Sequence, residues 1–328
     1  MDKAHKYTDE QLFKLEKEIK EVYNKTLKRL NKELEKTLVK IDTDKAPKKL
    51  YVQLAKEKRL KILISKLTNE LNQANKIAVQ LMNDELIDIY GYNHNYEAFN
   101  IEHLTGYNLN FTLFNNQTIK AILADEVNPF ALMALDDLKD KGDIIKKLKR
   151  ELLSGLMAGD SIPKIAKRIQ NLTNKKAYDS IRIARTEITR VQNNARFDVM
   201  KHASNKGLKI SKRWLATMDA RTRSSHQHLN GEIVGLNKNF SNGLEYPGDP
   251  SGHAKEVINC RCTMTTEFDG LEKSAEELKL DEEFKKISFD SWIRNKETKQ
   301  PKIETKPKKE TVFKQEKEKP KKNIKLEV

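Results

Sequence analysis

A long helical repeat of apolar residues constrains the fold more than any other feature. Between residues 1 and 89, leucine, isoleucine and alanine recur every three or four positions, which is the spacing of one helix face. Thr8 with Gln11 forms a capping-box sequence that predicts the start of a first helix. Pro47 suits the first turn of a second helix, and Gly91 predicts its end. Because the joint between them is short, we expect an antiparallel arm or bundle.

The composition changes in residues 90–115, where aromatic residues are interleaved with asparagine. Few basic residues accompany them, so this segment is more typical of a packed connector than of a platform that stacks nucleobases. Helical spacing returns over residues 116–206, with Pro129 and Gly159 as interruptions. Ser161 then predicts an N-cap, with a proline following in the first turn.

Residues 176–206 form the most clearly marked helix of the chain. Its apolar residues share one face, and Gly207 is placed to end it. Arginines lie off this face, and three of them are candidate contacts to DNA. These candidates are Arg182, Arg190 and Arg196.

The residue pattern after this helix predicts strands. KISKRWLAT alternates so that Ile210 and Trp214 share a face, and an Asn-Gly pair marks a turn before EIVGL. A loop rich in glycine and proline follows, and VINCRCTMTTEF reads as a final strand. The sequence therefore predicts a small sheet near residues 208–266.

These patterns together predict a mainly α-helical protein with a C-terminal α+β domain. We expect a helical arm or bundle over residues 1–150, an α+β domain over 151–268 and a short helical extension over 269–295. Residues 296–328 contain 12 lysines, 6 glutamates and three of the eight prolines, with almost nothing apolar, so we expect a disordered basic tail.

The charge and cysteine content limit the partners and the compartment. A formal net charge of +15 is typical of proteins with anionic partners, and equally of the lysine- and asparagine-rich residue usage of an AT-rich genome. A bridge between two cysteines one residue apart would close a strained ring, so we expect no stabilising disulfide, which fits a reducing cytoplasm. We see no secretory signal and no apolar run near the ~18–20 residues that span a bilayer, so we expect a soluble protein with no membrane partner.

The region from residue 214 to residue 262 concentrates the residue types that carry chemistry, including both cysteines and three of the seven histidines. A Cys-x-Cys pair on a strand would direct both sulfurs to one face, and thiolates with imidazoles suit zinc. The spacing is not that of a standard zinc ribbon, and the alternative is that the cysteines are small buried apolar residues. No other cofactor is indicated. The candidate metal ligands are His226, His228, His253, Cys260 and Cys262.

A polar structural knot is a second interpretation of the same region. Asp219 can accept backbone N–H groups near Arg221 and Thr222. Arg221 or Arg223 can also pair with a carboxylate such as Asp219 or Glu187. Such a pair would hold the helix against the sheet, and we favour this role. Removing one partner of a buried pair costs about 3–5 kcal/mol.

Catalysis has the least support from the residues. Asp219, His226 and Cys260 could serve as nucleophile, base and orienting group. The residue types of a His-plus-Asn nuclease occur as His226, His228 and Asn259. No nucleophile elbow, P-loop or dinucleotide fingerprint is present. We predict no enzyme. The alternatives are a metal-dependent nuclease or toxin-like effector built on residues 210–265, and a non-specific DNA-binding protein.

Four fragments, in their order along the chain, carry a family resemblance. IARTEITRVQNNAR is followed by RWLATMDARTRSSHQHLNGEIV, then a PGDPSG loop, then INCRCTM. In this order they resemble the phage Mu F-like family of minor head proteins, also called phage head morphogenesis proteins, over roughly residues 150–266. The positions that match the family pattern are Arg185, Thr186, Glu187, Trp214, Asp219, Arg221, Arg223, His226, Asn259, Cys260, Arg261 and Cys262.

The resemblance implies a protein present in few copies inside the phage head and made in the host bacterial cytoplasm. It implies association with the portal during procapsid assembly, an influence on DNA packaging or delivery, and no defined catalytic activity. Phage DNA, bound without sequence preference, and a scaffold or major capsid protein are further expected partners. The helical arm suits docking onto a ring of helical subunits, and the positive charge suits a DNA-filled interior.

Overall fold

Four long helices account for most of the described chain in the computed structural model. They are α1 (Lys3–Leu38), α2 (Arg59–Thr105), α3 (Lys141–Met157) and α4 (Ile162–Asn205). After α4 come β1 (Ile210–Leu215), α5 (Ser224–His228), β2 (Ile233–Gly235), α6 (Ala254–Val257), β3 (Thr263–Phe268) and α7 (Phe289–Lys299). The structure describes residues 2–38, 59–114, 141–158, 160–268 and 287–299.

The predicted fold class, mainly α-helical with a small C-terminal sheet, is confirmed. The sheet is antiparallel with the order β2-β1-β3, so β1 is its central strand. Ser211 pairs with Gly235 on one side and with Glu267 on the other. Ile210 and Trp214 are both buried, as the alternation predicted. None of the described helices combines the length and apolar composition needed to cross a bilayer.

The predicted antiparallel pairing of the first two helices is confirmed. The Tyr23 hydroxyl donates to Asn75 Oδ1 at 2.5 Å, and Lys66 Nζ donates to Glu33 Oε2 at 3.0 Å. The predicted start at Thr8 is wrong, because Asp2 accepts the Ala4 N–H at 3.2 Å and caps the helix earlier. Thr8 lies inside α1, where its hydroxyl donates to the Ala4 carbonyl at 3.0 Å.

The predicted end of the second helix at Gly91 is also wrong. The segment predicted as a packed connector, residues 90–115, is packed as expected in its described part but is helical as far as Thr105. α2 continues through Gly91 to Thr105. Tyr90, Tyr96 and Phe99 are buried on this part of the helix, as expected for packing and not for exposed stacking. A glycine inside a helix costs only about 1 kcal/mol, and burial of three aromatic side chains outweighs that cost.

The helical segments predicted on either side of residue 176 form one continuous helix, α4. It contains 44 residues, which corresponds to a length of about 66 Å. Ser161 is its N-cap and Pro163 lies in its first turn, as predicted. Gly207 follows the C-cap residue with a φ of +99°, a backbone conformation that favours glycine. The predictions for Pro47, Pro129 and Gly159 lie outside the described residues.

Apolar clusters follow one another along the bundle. At the end far from the sheet, here called the distal end, leucines of α1, α2 and α3 pack on the first half of α4. In the middle, Leu12 and Ile19 pack in one cluster with Ile181 and Ile188. At the sheet end, side chains of α2, α4, α7 and the sheet share a third cluster. The division at residue 150 stays a prediction, but apolar contacts cross it along the whole bundle.

The predicted start of the disordered tail is wrong by a few residues. α7 extends to Lys299, and Lys296 within it donates to Glu102 Oε1 at 3.1 Å. Trp292 Nε1 donates to the other oxygen of Glu102 at 2.8 Å. This buried carboxylate of α2 therefore anchors α7. The rest of the predicted tail, residues 300–328, lies outside the described residues, and so does most of the predicted 269–295 extension.

Arg196 joins four parts of the chain at the sheet end. Its side chain is 0% exposed. Its Nε donates to Asn93 Oδ1 at 3.2 Å, its Nη1 donates to the Met264 carbonyl at 3.0 Å, and its Nη2 donates to the Asp2 carboxylate. Glu97 Oε2 lies 3.8 Å from Nη1, and burial raises the pKa of this carboxyl while Arg196 opposes the rise.

We expect Arg196→Met to destabilise the fold by about 3–5 kcal/mol, because the substitution leaves Glu97 and Asp2 without their buried cation. Urea unfolding followed by circular dichroism measures the loss. Arg182→Met is the matched control, since Arg182 is half-exposed and lies 3.7 Å from Asp179. It should cost less than about 1 kcal/mol. Equal unfolding midpoints for the two variants would contradict the role given to Arg196.

Candidate functional site

A stripe of polar residues on α4 holds the segment of residues 259–264, here called the closing segment. Thr189 Oγ1 donates to the Cys260 carbonyl at 2.5 Å, and Asn193 Nδ2 donates to the Cys262 carbonyl at 3.1 Å. Both α4 side chains are buried. Since buried carbonyls need donors, this stripe determines how the closing segment lies on the helix.

The start of the closing segment has an unusual backbone conformation. Asn259 has a φ of +62°, one of the two positive values found for non-glycine residues among those described. Its N–H donates to Thr186 Oγ1 at 3.0 Å. Asparagine tolerates this left-handed conformation better than most residues. The contact gives Thr186 and Asn259, two of the family-pattern residues, a direct structural connection.

The predicted PGDPSG loop packs directly on α4. Gly248 has a φ of +85°, and a Cβ built on it would lie 2.9 Å from the Arg190 Cα. Arg190 is buried, its Nε donates to the Gly248 carbonyl at 3.3 Å, and its Nη1 donates to Glu187 Oε2 at 3.0 Å. This close approach leaves no room for a side chain at position 248.

Two of the three candidate DNA contacts are corrected by these positions. Arg190 and Arg196 are 3% and 0% exposed, and each is held in buried ion pairs. A guanidinium enclosed in the protein core does not reach a phosphate backbone. Arg182 keeps a half-exposed side chain and stays a candidate.

Asp219 organises the turn after β1, as the second interpretation predicted. Its Oδ1 accepts from the Arg221 N–H at 2.9 Å, from Thr222 Oγ1 at 3.1 Å and from Arg261 Nη2 at 2.6 Å. The hydrogen bond from Arg261 holds the pKa of Asp219 far below its usual value. The strong partner is therefore Arg261 of the closing segment, while Arg221 Nη2 is 3.5 Å away.

Other details of the predicted knot are corrected. Arg223 donates to the Ile258 carbonyl and not to a carboxylate. Glu187 pairs with Arg190 on the same helix. The Asp219 side chain is 34% exposed, so its pair with Arg261 is not buried and the cost of removing it falls below that of a buried pair.

His226, Cys260 and Cys262 converge into one buried cluster. His226 Nδ1 lies 3.6 Å from Cys260 Sγ and 3.4 Å from Cys262 Sγ. On the other side of the ring, His226 Nε2 lies 2.9 Å from Glu256 Oε2. The Trp214 ring packs edge-to-face against the imidazole, with the ring centroids 5.4 Å apart.

The other predicted ligands lie apart from this cluster. His228 is exposed and its Nδ1 contacts the Ser224 carbonyl, while His253 Nδ1 accepts the Lys255 N–H. The prediction that the cysteines lie on a strand is wrong, because β3 begins only at Thr263. The turn before β3 still brings both sulfurs to one side.

The two thiols influence each other. A hydrogen bond with Cys260 lowers the pKa of the Cys262 thiol, and His226 acts in the same direction. The same hydrogen bond raises the pKa of Cys260, and burial adds to the rise. Both cysteines are free. Cys262 is therefore the group of the pair that ionises first.

Arg185 acts away from the cluster. Its Nε and Nη2 donate to the two carboxylate oxygens of Glu16 at 2.5 and 2.8 Å. This bidentate pair joins α4 to α1. The family-pattern residues of α4 therefore divide between two tasks, with Arg185 facing the bundle and Thr186 facing the closing segment.

Several residues of the site escaped the sequence analysis. Glu256 contacts His226 from α6, and Asn193 makes three contacts to the closing segment. For α4 a signal was present, because Thr186, Thr189 and Asn193 follow helical spacing and form a second, polar face. For Glu256 the sequence held no signal, since its partner lies 30 positions earlier.

Comparisons with known proteins identify a matching family model and similar proteins. Residues 146–265 match the family model described as Phage Mu protein F like protein. The chain is 26% identical over 304 residues to Minor head protein GP7 of Bacillus phage SPP1, covering 90% of this chain and 97% of that protein. It is 34% identical over 171 residues to an NAD(+)--arginine ADP-ribosyltransferase of Enterococcus faecalis, covering 49% of this chain and 34% of that enzyme. No solved structure matches the chain significantly.

We expect Gly248→Ala to destabilise the protein much more than Gly243→Ala. Both glycines have a φ near +85° and belong to the same loop region, but a Cβ at Gly243 meets nothing within 4 Å. Gly243→Ala should therefore cost only the backbone strain of roughly 1–2 kcal/mol. Gly248→Ala must also push the loop off Arg190, and thermal unfolding of the two variants measures the difference. Equal melting temperatures would refute the close-packing argument.

Proposed function

We propose that this chain, whose matches support a phage Mu F-like minor head protein, is a non-catalytic structural component of the phage head that associates with the portal. The similarity to this family supports a role in head morphogenesis. The observation that carries the proposal is the match along 97% of the SPP1 minor head protein, which includes the helical bundle as well as the site. A shared scaffold of that extent supports a shared structural task.

The distal end of the bundle is the proposed contact to the portal. It lies farthest from the sheet and ends in a groove of about 290 Å³ between α1 and the start of α4. The groove is lined by the apolar residues Ile162, Pro163 and Ala166. It is also lined by the charged residues Glu35 and Lys167. The Oδ1 atom of Asn31 in this groove is buried and has no hydrogen-bond partner among the described residues. The groove therefore suits a portal segment that has an apolar face and charges complementary to Glu35 and Lys167.

We expect the full chain to co-purify with the portal protein, and the double variant Glu35→Arg with Lys167→Glu to lose most of this binding. The variant reverses both groove charges while it leaves the net charge unchanged, so non-specific attraction is preserved. Affinity capture on tagged portal protein, followed by quantitative gel analysis, measures the bound fraction.

A second charge swap at the sheet serves as the control. Arg213→Glu with Glu267→Arg exchanges the partners of a partly exposed ion pair, whose atoms lie 2.5 Å apart, and also preserves the net charge. This control should bind the portal like the natural protein. If neither the natural chain nor the control is captured, portal association is wrong. If both double variants are captured equally, the distal end is not the contact.

The absence of catalysis is part of the proposal. His226, Cys260 and Cys262 are each at most 2% exposed, so a substrate has no direct access to them. The similarity to the ADP-ribosyltransferase covers only about a third of that enzyme, so the enzyme's activity gives no reason to assign it here. The metal-dependent nuclease stays as the alternative reading of residues 210–265.

Weak, sequence-independent contact with DNA completes the proposal. The net charge of +15 supports attraction to phosphates, and Arg182 of α4 is the remaining candidate contact. We expect linear DNA to shift on a gel at low salt, and the shift to disappear as salt rises. Supercoiled plasmid incubated with the protein and magnesium or manganese should stay intact. No shift at low salt would remove DNA as a partner, and nicked plasmid would favour the nuclease.

A further inference from the structure

The buried cluster of His226, Cys260 and Cys262 brings three potential metal-ligand atoms together. The three donor atoms lie within 4.8 Å of one another. One imidazole nitrogen offers one lone pair, which can accept one thiol proton. Here two sulfurs approach the same nitrogen at nearly equal distances of 3.4 and 3.6 Å. The Cys262 thiol hydrogen-bonds this nitrogen, and the Cys260 sulfur approaches it as a second potential ligand atom.

The spacing fits the geometry of a tetrahedral metal centre. Zinc binds thiolate sulfur at about 2.3 Å and imidazole nitrogen at about 2.0–2.1 Å, which places neighbouring nitrogen and sulfur ligands roughly 3.6 Å apart. Both nitrogen–sulfur distances in the cluster agree with this value within about 0.2 Å. Two thiolates and one imidazole are also the donor types that zinc prefers.

The surroundings of His226 match those of a metal-bound histidine. Its Nε2 faces Glu256 Oε2 at 2.9 Å, which directs the lone pair of Nδ1 toward the sulfurs. A carboxylate on the far side of the ring is the usual partner of a zinc-bound histidine, because it fixes the tautomer and the ring orientation. Ser225 Oγ also donates to Glu256 at 3.2 Å and holds the carboxylate in place.

We propose that His226, Cys260 and Cys262 bind one zinc ion through one imidazole nitrogen and two thiolates. All seven histidines and both cysteines belong to the described residues, and no other histidine joins this cluster. The ion connects α5 to the closing segment, which the polar stripe of α4 holds from the other side. It therefore acts as a structural crosslink between the turn after β1 and α4. This role does not depend on portal binding.

Elemental analysis of the full chain, produced without a histidine tag, tests the proposal. We expect about one zinc ion per chain, and a lower melting temperature after the ion is removed with a strong chelator. Cys262→Ser and His226→Gln should each lose most of the zinc. His228→Gln is the matched control, because His228 lies on the same short helix but is exposed and outside the cluster. It should retain the full zinc content.

Cobalt substitution keeps the test decisive if the cysteine variants fail to fold. Cobalt bound to the natural chain should show the intense absorption of tetrahedral cobalt and a cobalt–thiolate charge-transfer band. Zinc content near zero after reconstitution with zinc salt, or a weak octahedral cobalt spectrum, would overturn the proposal. Equal zinc binding by Cys262→Ser and the natural chain would overturn it as well. Capture of the zinc-free chain on tagged portal protein is measured in parallel. It tests the proposed function independently of zinc binding.

Discussion

The buried guanidinium of Arg196 is the contact on which the sheet end of the molecule depends. A cation removed from water must be compensated by partners that are all in place together. Its partners come from the start of α1, from α2 and from β3. If any of these segments detached, the buried guanidinium would lose one of the partners that compensate its charge. The first helices and the C-terminal sheet are therefore expected to unfold together, although the sequence composition separates them.

The polar stripe of α4 extends the same principle to the candidate site. Thr189 and Asn193 are buried on a helix whose other face packs against α1 and α2. Their side chains satisfy the carbonyls of the closing segment, so one long helix positions the bundle on one side and the site on the other. The orientation of the two cysteines toward His226 is a consequence of this docking. The cluster needs α4 even though α4 contributes no ligand to it.

The sequence predicted what depends on periodicity and missed what depends on distant partners. Apolar spacing located the helices and the alternation located β1, because burial of one face is a local pattern. The sequence predicted a helix start at Thr8 and a helix end at Gly91, and both predictions are wrong. Asp2 caps the first helix earlier, and burial of aromatic side chains stabilises the second helix beyond Gly91. Arg196 was read as a DNA contact because nothing near it in the sequence reveals a buried partner. Asn93 lies 103 positions away.

The burial of the site residues supports the proposed structural role over a catalytic one. His226 and both cysteines look reactive in the sequence, yet the fold encloses them behind the Trp214 ring and the closing segment. A catalytic centre needs a path for its substrate, whereas a structural metal site is enclosed by the protein. The four long helices of the bundle, by contrast, carry exposed faces along their length. In the proposed structural role, the bundle surface makes the contacts and the buried site residues stabilise the fold that presents it.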